Sequence, residues 1–309
     1  MSLLVDNTLS GEAGEEVTNG RLSDSAVEGT VTIRSAGERA VYSETHTVHG
    51  EPGARLGTGA HREETPRLRV DLPSSGPWCA RWYVWHPSLQ DAGHGTNEAR
   101  VLARLGDAEL VTVETGAGAV AARLQPQDLA AEWDSPTVGG TNRAAGQWLR
   151  MELRRGGGSL ELRIFELHAT SEMRTGTWSS PPSPAVLDLT GYRYRRRPLL
   201  EWGDQGSQVT DLQNELIDLG YDLGQWGPDG DFGDATFFAV EDFQDDVGMS
   251  GSGSAGPETR AAMDVSLGLE PPPLWVSHVA LSDGDWIGPA ELPEEPPETV
   301  RGFTVGMPI

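Results

Sequence analysis

Histidine, cysteine and carboxylate side chains are the groups of this 309-residue sequence that could carry metal or nucleophilic chemistry. No His-Glu-x-x-His segment or comparable zinc-ligand spacing occurs, and the closest pair, His46 and His49, would point to opposite faces of a strand. The single Cys79 stands between Trp78 and Ala80, a setting typical of a buried thiol. The 47 acidic residues leave a glycosidase-type carboxylate pair open. We expect a non-enzymatic protein with no catalytic residue, no metal site and no cofactor.

Two short segments, 229–236 and 252–259, repeat one pattern in the C-terminal third of the chain. Each has Gly at its second and fifth positions and Thr at its eighth. The first Gly permits a left-handed turn, the second permits a tight entry into a helix, and the Thr falls in the first turn of that helix. The acids of the first segment mimic part of a calcium loop, but the downstream bidentate Glu is missing, so no metal site is predicted.

Helical spacing surrounds both segments. The supporting positions are Gly203-Asp-Gln-Gly206, then Val209, Leu212-Gln213 and Leu216, then Gly220-Tyr221, and finally Ala239-Val240-Glu-Asp-Phe243-Gln244. With the two half-motifs, these positions closely resemble the peptidoglycan-binding domain of bacterial and phage cell-wall hydrolases, over residues 199–263. The resemblance implies a three-helix bundle that binds peptidoglycan without cutting it.

The resemblance also implies which residues contact the ligand. The loop before the second helix would form one wall of a groove, through Asp229, Gly230, Phe232 and Gly233. Tyr221 and Trp226 are close enough in sequence to line it, because aromatic faces and hydroxyl or indole donors suit a glycan and stem-peptide ligand. Phe232 and Tyr221 could instead fill the small core, which is the favoured alternative for Tyr221. Trp226, flanked by Gln225 and Gly227, is harder to explain as a core residue.

Net charge restricts the partners. The formal charge of −24 repels phosphate backbones and anionic lipid surfaces, so neither nucleic acid nor a membrane is an expected partner. No apolar stretch approaches the roughly 18 to 20 residues of a membrane span. The first residues lack the basic leader and apolar run of a secretory signal, so we expect synthesis in the cytoplasm without a signal peptide. Residues 199–263 hold fourteen acids against Arg260 alone, so wall binding would use bridging cations or neutral sugar and amide groups, unless binding has been lost.

The fold class predicted is mainly β, a jelly-roll-like sandwich with an inserted small three-helix bundle. Apolar residues alternate with period two through residues 1–190, between clusters rich in the 39 Gly and 21 Pro. Residues 148–165 read as a hairpin around Gly156 to Gly158. Residues 81–86 read as a central strand, with Trp82 and Val84 on one face and Tyr83 and Trp85 on the other. Further strands are predicted at 31–33, 67–72, 99–105, 111–114 and 119–124.

The domain organisation follows from the change of period. After a break near residues 179–184, a linker is predicted at 191–198, helices within 199–263, and a second linker at 264–273. A lone strand at 274–281 needs a sheet edge to pair with, so we expect residues 1–190 and 274–290 to form one discontinuous sandwich. Residues 291–309 are predicted to be an extended arm.

The sandwich has its own, thinner resemblance. Asn7-Thr-Leu-Ser-Gly, His49-Gly50, the hairpin and Trp286-Ile-Gly-Pro289 resemble laminin-G-like jelly rolls of tail proteins from actinobacterial phages and contractile injection particles. This resemblance implies an attachment protein within a virion or phage-like particle, with peptidoglycan and other tail or baseplate proteins as partners. Two alternatives stay open, a targeting subunit of a wall hydrolase and a purely structural component. Homo-oligomerisation, host and glycan specificity are also open.

Overall fold

Two antiparallel sheets and three helices make up the described part of the chain. The computed structural model describes residues 2–9, 11–19, 31–34, 39–48, 50–57, 66–87, 99–106, 108–115, 119–126, 138–141, 146–167, 169, 174–179, 185–194, 199–269 and 273–290. The mainly β fold class predicted from the sequence is confirmed. Within these residues no helix combines the length and the apolar character needed to cross a membrane.

The first sheet has eight strands. In spatial order they are β13 (Arg174–Ser179), β12 (Ser159–Glu166), β11 (Gln147–Gly156), β6 (Trp78–His86), β15 (Leu274–Ser282), β4 (Glu51–Leu56) and β3 (Val41–Val48), with β1 (Leu3–Asn7) also paired to β15. The second sheet runs β10 (Val138–Thr141), β9 (Ala119–Pro126), β8 (Ala108–Thr115), β7 (Ala99–Leu105), β14 (Val186–Tyr194), β5 (Arg67–Asp71) and β2 (Val31–Arg34).

One hydrophobic core lies between the sheets and explains the strand patterns. Trp82 and Val84 of β6 and Met151 of β11 pack in it with Leu68 and Leu105 of the second sheet. The predicted hairpin is confirmed, since β11 and β12 pair in register from Leu149–Glu166 to Gly156–Ser159. Alternating apolar residues therefore form the inward face of β6, β11 and β12.

The outer face of β6 is bulky because residues 283–290 cross it. The Ala290 N–H donates to the Tyr83 hydroxyl at 2.8 Å, and the Arg81 guanidinium donates to the Gly288 carbonyl at 3.2 Å. The Trp286 ring lies over the Arg163 guanidinium at 3.7 Å. Side chains on both faces of β6 are thus buried, which accounts for an almost continuous run of large residues.

Strand β15 lies inside the first sheet. It pairs with β6 on one side and with β4 and β1 on the other. All nine of its residues are buried. The chain leaves the second sheet at β14, forms the three helices, and enters the first sheet as β15.

The helices enclose a separate small core. They are α1 (Ser207–Asp218), α2 (Asp234–Asp246) and α3 (Pro257–Ser266), and their buried residues include Leu212, Phe232, Val240, Phe243 and Met263. Pro257 opens α3, as its preference for the first helical position predicts.

Two predicted linkers begin inside regular structure. Residues 191–194 belong to β14, where Tyr194 pairs with Ala99 of β7, so the backbone ladder continues past the predicted boundary. Residues 264–266 complete α3, and Asp264 is buried. The remaining linker residues 195–198 and 270–272, and the predicted arm at 291–309, lie outside the described residues.

Candidate functional site

A buried glutamine holds the first half-motif. Gln213 of α1 is 1% exposed, and its amide nitrogen donates to Asp229 Oδ1 at 2.9 Å, to the Asp231 carbonyl at 3.0 Å and to Thr236 Oγ1 at 3.0 Å. Its amide oxygen accepts from the Gly230 N–H at 2.8 Å. One side chain therefore fixes both ends of the loop that leads into α2.

A second glutamine repeats this arrangement at the other half-motif. Gln244 of α2 donates to the Ser254 carbonyl at 2.9 Å and to Thr259 Oγ1 at 2.9 Å. Its amide oxygen accepts from the N–H groups of Ser252 at 2.8 Å and Gly253 at 3.0 Å. The sequence repeat is thus a structural repeat, in which each helix carries the glutamine that holds the following loop.

The first glycine of each half-motif is required by the backbone. Gly230 has φ +77° and Gly253 has φ +66°, values that side-chain-bearing residues rarely adopt. A Cβ at Gly253 would also collide with the Phe237 ring. These two positions confirm the left-handed turn predicted from the repeat.

Residues 200–206 connect the two loops. Leu200 pairs with Ala255 of the second loop through backbone hydrogen bonds of 2.9 and 3.2 Å. The Gly203 N–H donates to the Phe232 carbonyl at 2.8 Å, and the Gly206 N–H donates to the Gly230 carbonyl at 2.9 Å. This segment brings Trp202 to the start of α2, where its indole N–H donates to Asp234 Oδ1 at 2.9 Å. The sequence prediction missed Trp202, although its position directly before Gly203, the first glycine of the motif, was a usable signal.

The residues predicted to bind ligand fall into two groups. Trp226 ends the short 3₁₀ helix Gly224–Trp226 and is 73% exposed, and Asp229, Gly230 and Gly233 lie in the loop held by Gln213. Phe232 is 0% exposed and belongs to the helical core, so its side chain does not line a surface groove. This burial fits the alternative in which Phe232 fills the small core: its own backbone pairs with Gly203 and Asp204, and its ring lies inward.

Asp229 is exposed, but its carboxylate is already used inside the loop. One oxygen accepts from the Asp231 N–H at 2.9 Å as well as from Gln213. These bonds lower the pKa of Asp229, the Asp231 N–H contributing most. Asp229 therefore shapes the loop through its carboxylate.

Tyr221 packs partly against the core. Its ring meets Phe243 edge-on at 5.9 Å, and its hydroxyl donates to Asp246 Oδ2 at 2.8 Å. Burial, followed by the hydrogen bond to Asp246, raises the pKa of Tyr221 to about 12. The hydroxyl is committed to α2, in keeping with the alternative favoured for this residue.

The stability of the helical domain is expected to fall as pH rises through the folded pKa of Tyr221. The unfolded group ionises near 10 and the folded group near 12, so the protonated hydroxyl contributes fully below pH 10 and its contribution is lost between pH 10 and 12. Tyr221→Phe should flatten this part of the curve. Thermal unfolding followed by the helical circular dichroism signal measures it, with Asp246→Asn as the matched partner variant. An unchanged slope in Tyr221→Phe would contradict the assignment.

The charged side chains at the surface of this domain are acidic. Its one basic residue, Arg260, is 5% exposed and pairs with Glu215 of α1 at 3.1 Å. No basic side chain of residues 199–263 is thus presented to solvent. The exposed aromatic rings are those of Trp202, Trp226 and Phe238.

The described histidines and Cys79 serve packing in the sandwich. His86 is fully buried, with Nδ1 3.0 Å from the Pro87 carbonyl and Nε2 3.0 Å from the Thr112 hydroxyl of the other sheet. His46 stacks on Trp85 at 3.8 Å. Burial, and then the charge of Glu152, raise the pKa of Cys79 to about 12, so its thiol stays protonated. His49, His61, His94 and His168 lie outside the described residues.

Comparison with known proteins identifies the helical unit. Residues 205–263 match the family model described as "Putative peptidoglycan binding domain". The match covers α1, α2 and most of α3 together with both glutamine-held loops. The predicted peptidoglycan-binding-type domain is confirmed at this level.

Three relatives share parts of the chain. A Kitasatospora aureofaciens protein, "Uncharacterized protein in bpoA1 3'region", is 36% identical over 102 residues, covering 32% of this chain and 82% of that protein. The N-acetylmuramoyl-L-alanine amidase CwlL of Bacillus licheniformis is 38% identical over 65 residues, 21% of this chain and 18% of the amidase. The type VI secretion system spike protein VgrG3 of Vibrio cholerae is 52% identical over 42 residues, 14% of this chain and 4% of the spike protein. The chain thus spans about a fifth of the amidase and a small part of the spike protein.

Proposed function

Because the chain belongs to the same family as the Kitasatospora aureofaciens protein and contains a domain of the peptidoglycan-binding type, we propose that it is a non-enzymatic cell-wall attachment protein. The helical domain binds peptidoglycan. The β-sandwich anchors it to a phage tail or a phage-like contractile particle, among tail or baseplate proteins.

The observation that carries this proposal is that the residues matched by the family model are the ones that form the three-helix unit. Residues 205–263 contain both glutamine-held loops, and in the first loop Asp229 and Asp231 are exposed while Gly230 and Gly233 are half-buried. The relative CwlL, an N-acetylmuramoyl-L-alanine amidase, supports the cell-wall context. The type VI secretion system spike protein VgrG3 supports the particle context.

The contact surface proposed on this domain is the first loop with its neighbouring exposed ring. Trp226, Asp229, Gly230 and Gly233 form it, whereas Tyr221, whose hydroxyl is bonded to Asp246, lies near the opposite end of α2. Gly233 has open space where a Cβ would stand, which allows close approach of a ligand, whereas Gly230 faces Thr210. Phe232 supports the loop from below.

A second candidate function is an accessory or targeting subunit of a wall hydrolase whose sandwich contains an active site, which the amidase relative favours. Turbidity of a purified cell-wall suspension separates the two. We expect no clearing by the purified chain alone, whereas clearing would identify an enzyme.

Wall binding is tested by co-sedimentation of the full chain with purified peptidoglycan. We expect the chain to pellet and Trp226→Ala to weaken binding about tenfold, since a buried aromatic contact of about 1.4 kcal/mol is lost. The matched control is Val247→Ala, which removes an exposed apolar side chain just after the end of α2, about 20 Å along the helix from the first loop.

Both variants should retain the parent unfolding temperature, because both side chains are exposed. Equal pelleting of Trp226→Ala and the parent would remove Trp226 from the binding surface. Failure of the parent chain to pellet would reject wall attachment by this domain.

A further inference from the structure

Trp202 is an exposed ring held in one orientation. It is 65% exposed, yet its indole N–H is bonded to Asp234 and the next residue, Gly203, is bonded through its backbone to Phe232. Leaving a large apolar ring exposed forgoes the free energy of burial, and holding it in one orientation costs side-chain entropy. Such an orientation suits a flat ligand that stacks on the ring.

A second exposed ring lies beside this anchor. Phe238 is 57% exposed and follows Asp234 by four residues on α2, so the two side chains share one helix face. The Phe238 ring meets Phe237 edge-on at 5.5 Å, and Phe237 packs against the helical core. Trp202 is bonded to Asp234, and Asp234 shares a helix face with Phe238; these three residues are named here the aromatic platform.

The polar groups of the platform specify an uncharged, hydroxyl-bearing ligand. Asp234 uses Oδ1 for the indole, and no donor in the described ranges reaches Oδ2, which is open to a ligand hydroxyl or amide N–H. The domain presents no basic side chain to solvent, since Arg260 is buried against Glu215. A carboxylate or phosphate ligand would meet only like charge here.

We propose that the aromatic platform stacks against the pyranose ring of an N-acetylated hexosamine, so that the domain recognises the glycan strand of peptidoglycan rather than its peptide carboxylates. This inference rests on the wall-binding function proposed above. The apolar face of the sugar ring packs on Trp202 and Phe238, while a sugar hydroxyl or amide N–H donates to Asp234.

The test compares three probes with the full chain: intact peptidoglycan, glycan strands freed of peptide by an amidase, and a soluble N-acetylglucosamine oligomer. We expect all three to bind. Trp202→Ala should weaken binding to each at least about tenfold. Trp202→Phe, which keeps a ring but loses the indole N–H, should lose less. Ile217→Ala, an exposed apolar change at the opposite end of α1 from Trp202, is the control and should bind as the parent does.

The outcomes separate the inference from the function beneath it. Binding to intact peptidoglycan without binding to peptide-free strands would overturn the inference and leave wall attachment standing. Parent-like binding by Trp202→Ala would do the same. A parent chain that binds none of the probes would reject both. If Trp202→Ala loses its helical circular dichroism signal, Phe238→Ala makes the same comparison, because that ring is exposed and not hydrogen-bonded.

Discussion

Truncation of the chain after Leu269 is expected to abolish the cooperative unfolding transition of the β-sandwich, because β15 lies inside the eight-stranded sheet. The truncation removes Leu274, Val276, Val279 and Leu281 from the core between the sheets. At roughly 1.5–3 kcal/mol for each buried aliphatic side chain, the loss approaches about 10 kcal/mol, comparable with the whole stability of a domain. It also leaves the backbone groups of β6, β4 and β1 without partners.

The matched experiment removes the helices and keeps the strand. Replacing residues 199–269 by a short Gly/Ser linker should leave a folded sandwich, because the cost of closing a loop changes only logarithmically with its length. Calorimetry of both proteins decides whether the sandwich is discontinuous, as we propose. A truncated protein that unfolds at the parent temperature would show that β15 adds nothing to the sheet.

Gln213→Ala is expected to destabilise the helical domain by about 3 kcal/mol, because its four hydrogen bonds hold one buried turn. The Gly230 N–H loses its acceptor, and Asp229 loses the donor that keeps its carboxylate in place. Gln244→Ala should cost a similar amount at the second loop. Urea unfolding followed by the helical circular dichroism signal measures both changes.

The neighbouring Asn214→Ala is the control for Gln213, since Asn214 is exposed on the same helix. We expect it to change stability by less than about 0.5 kcal/mol. If Gln213→Ala were as mild as this control, the loop would be held by its own backbone turns. In that case the pseudo-repeat would be a backbone feature that does not depend on the glutamines.

Local pattern predicted most of the elements correctly. Alternation at residues 148–165 predicted β11 and β12, and helical spacing of apolar residues within 199–263 predicted α1 and α2. The half-motif predicted positive φ at Gly230 and Gly253. These features succeed because side-chain periodicity and glycine conformation are properties of a few neighbouring residues.

The site was predicted only in part, and the failures share one cause. Phe232 and Trp202 are both aromatic residues next to glycine in polar segments, and the sequence offers no local reason to place one inside and the other outside. The backbone pairing of Gly203 with Phe232 decides it, turning one ring into the core and leaving the other on Asp234.

What the sequence by itself determined is the periodicity of each segment, the glycine-dependent turns, the acidic charge of the helical domain and its resemblance to a wall-binding family. The tertiary structure alone decided that β15 lies between β6 and β4, that Arg260 forms an ion pair with Glu215, and that two glutamines hold the loops. Each of these depends on contacts between residues far apart in the chain. Burial and hydrogen-bond partners are set by such contacts, and a pattern of neighbouring residues does not contain them.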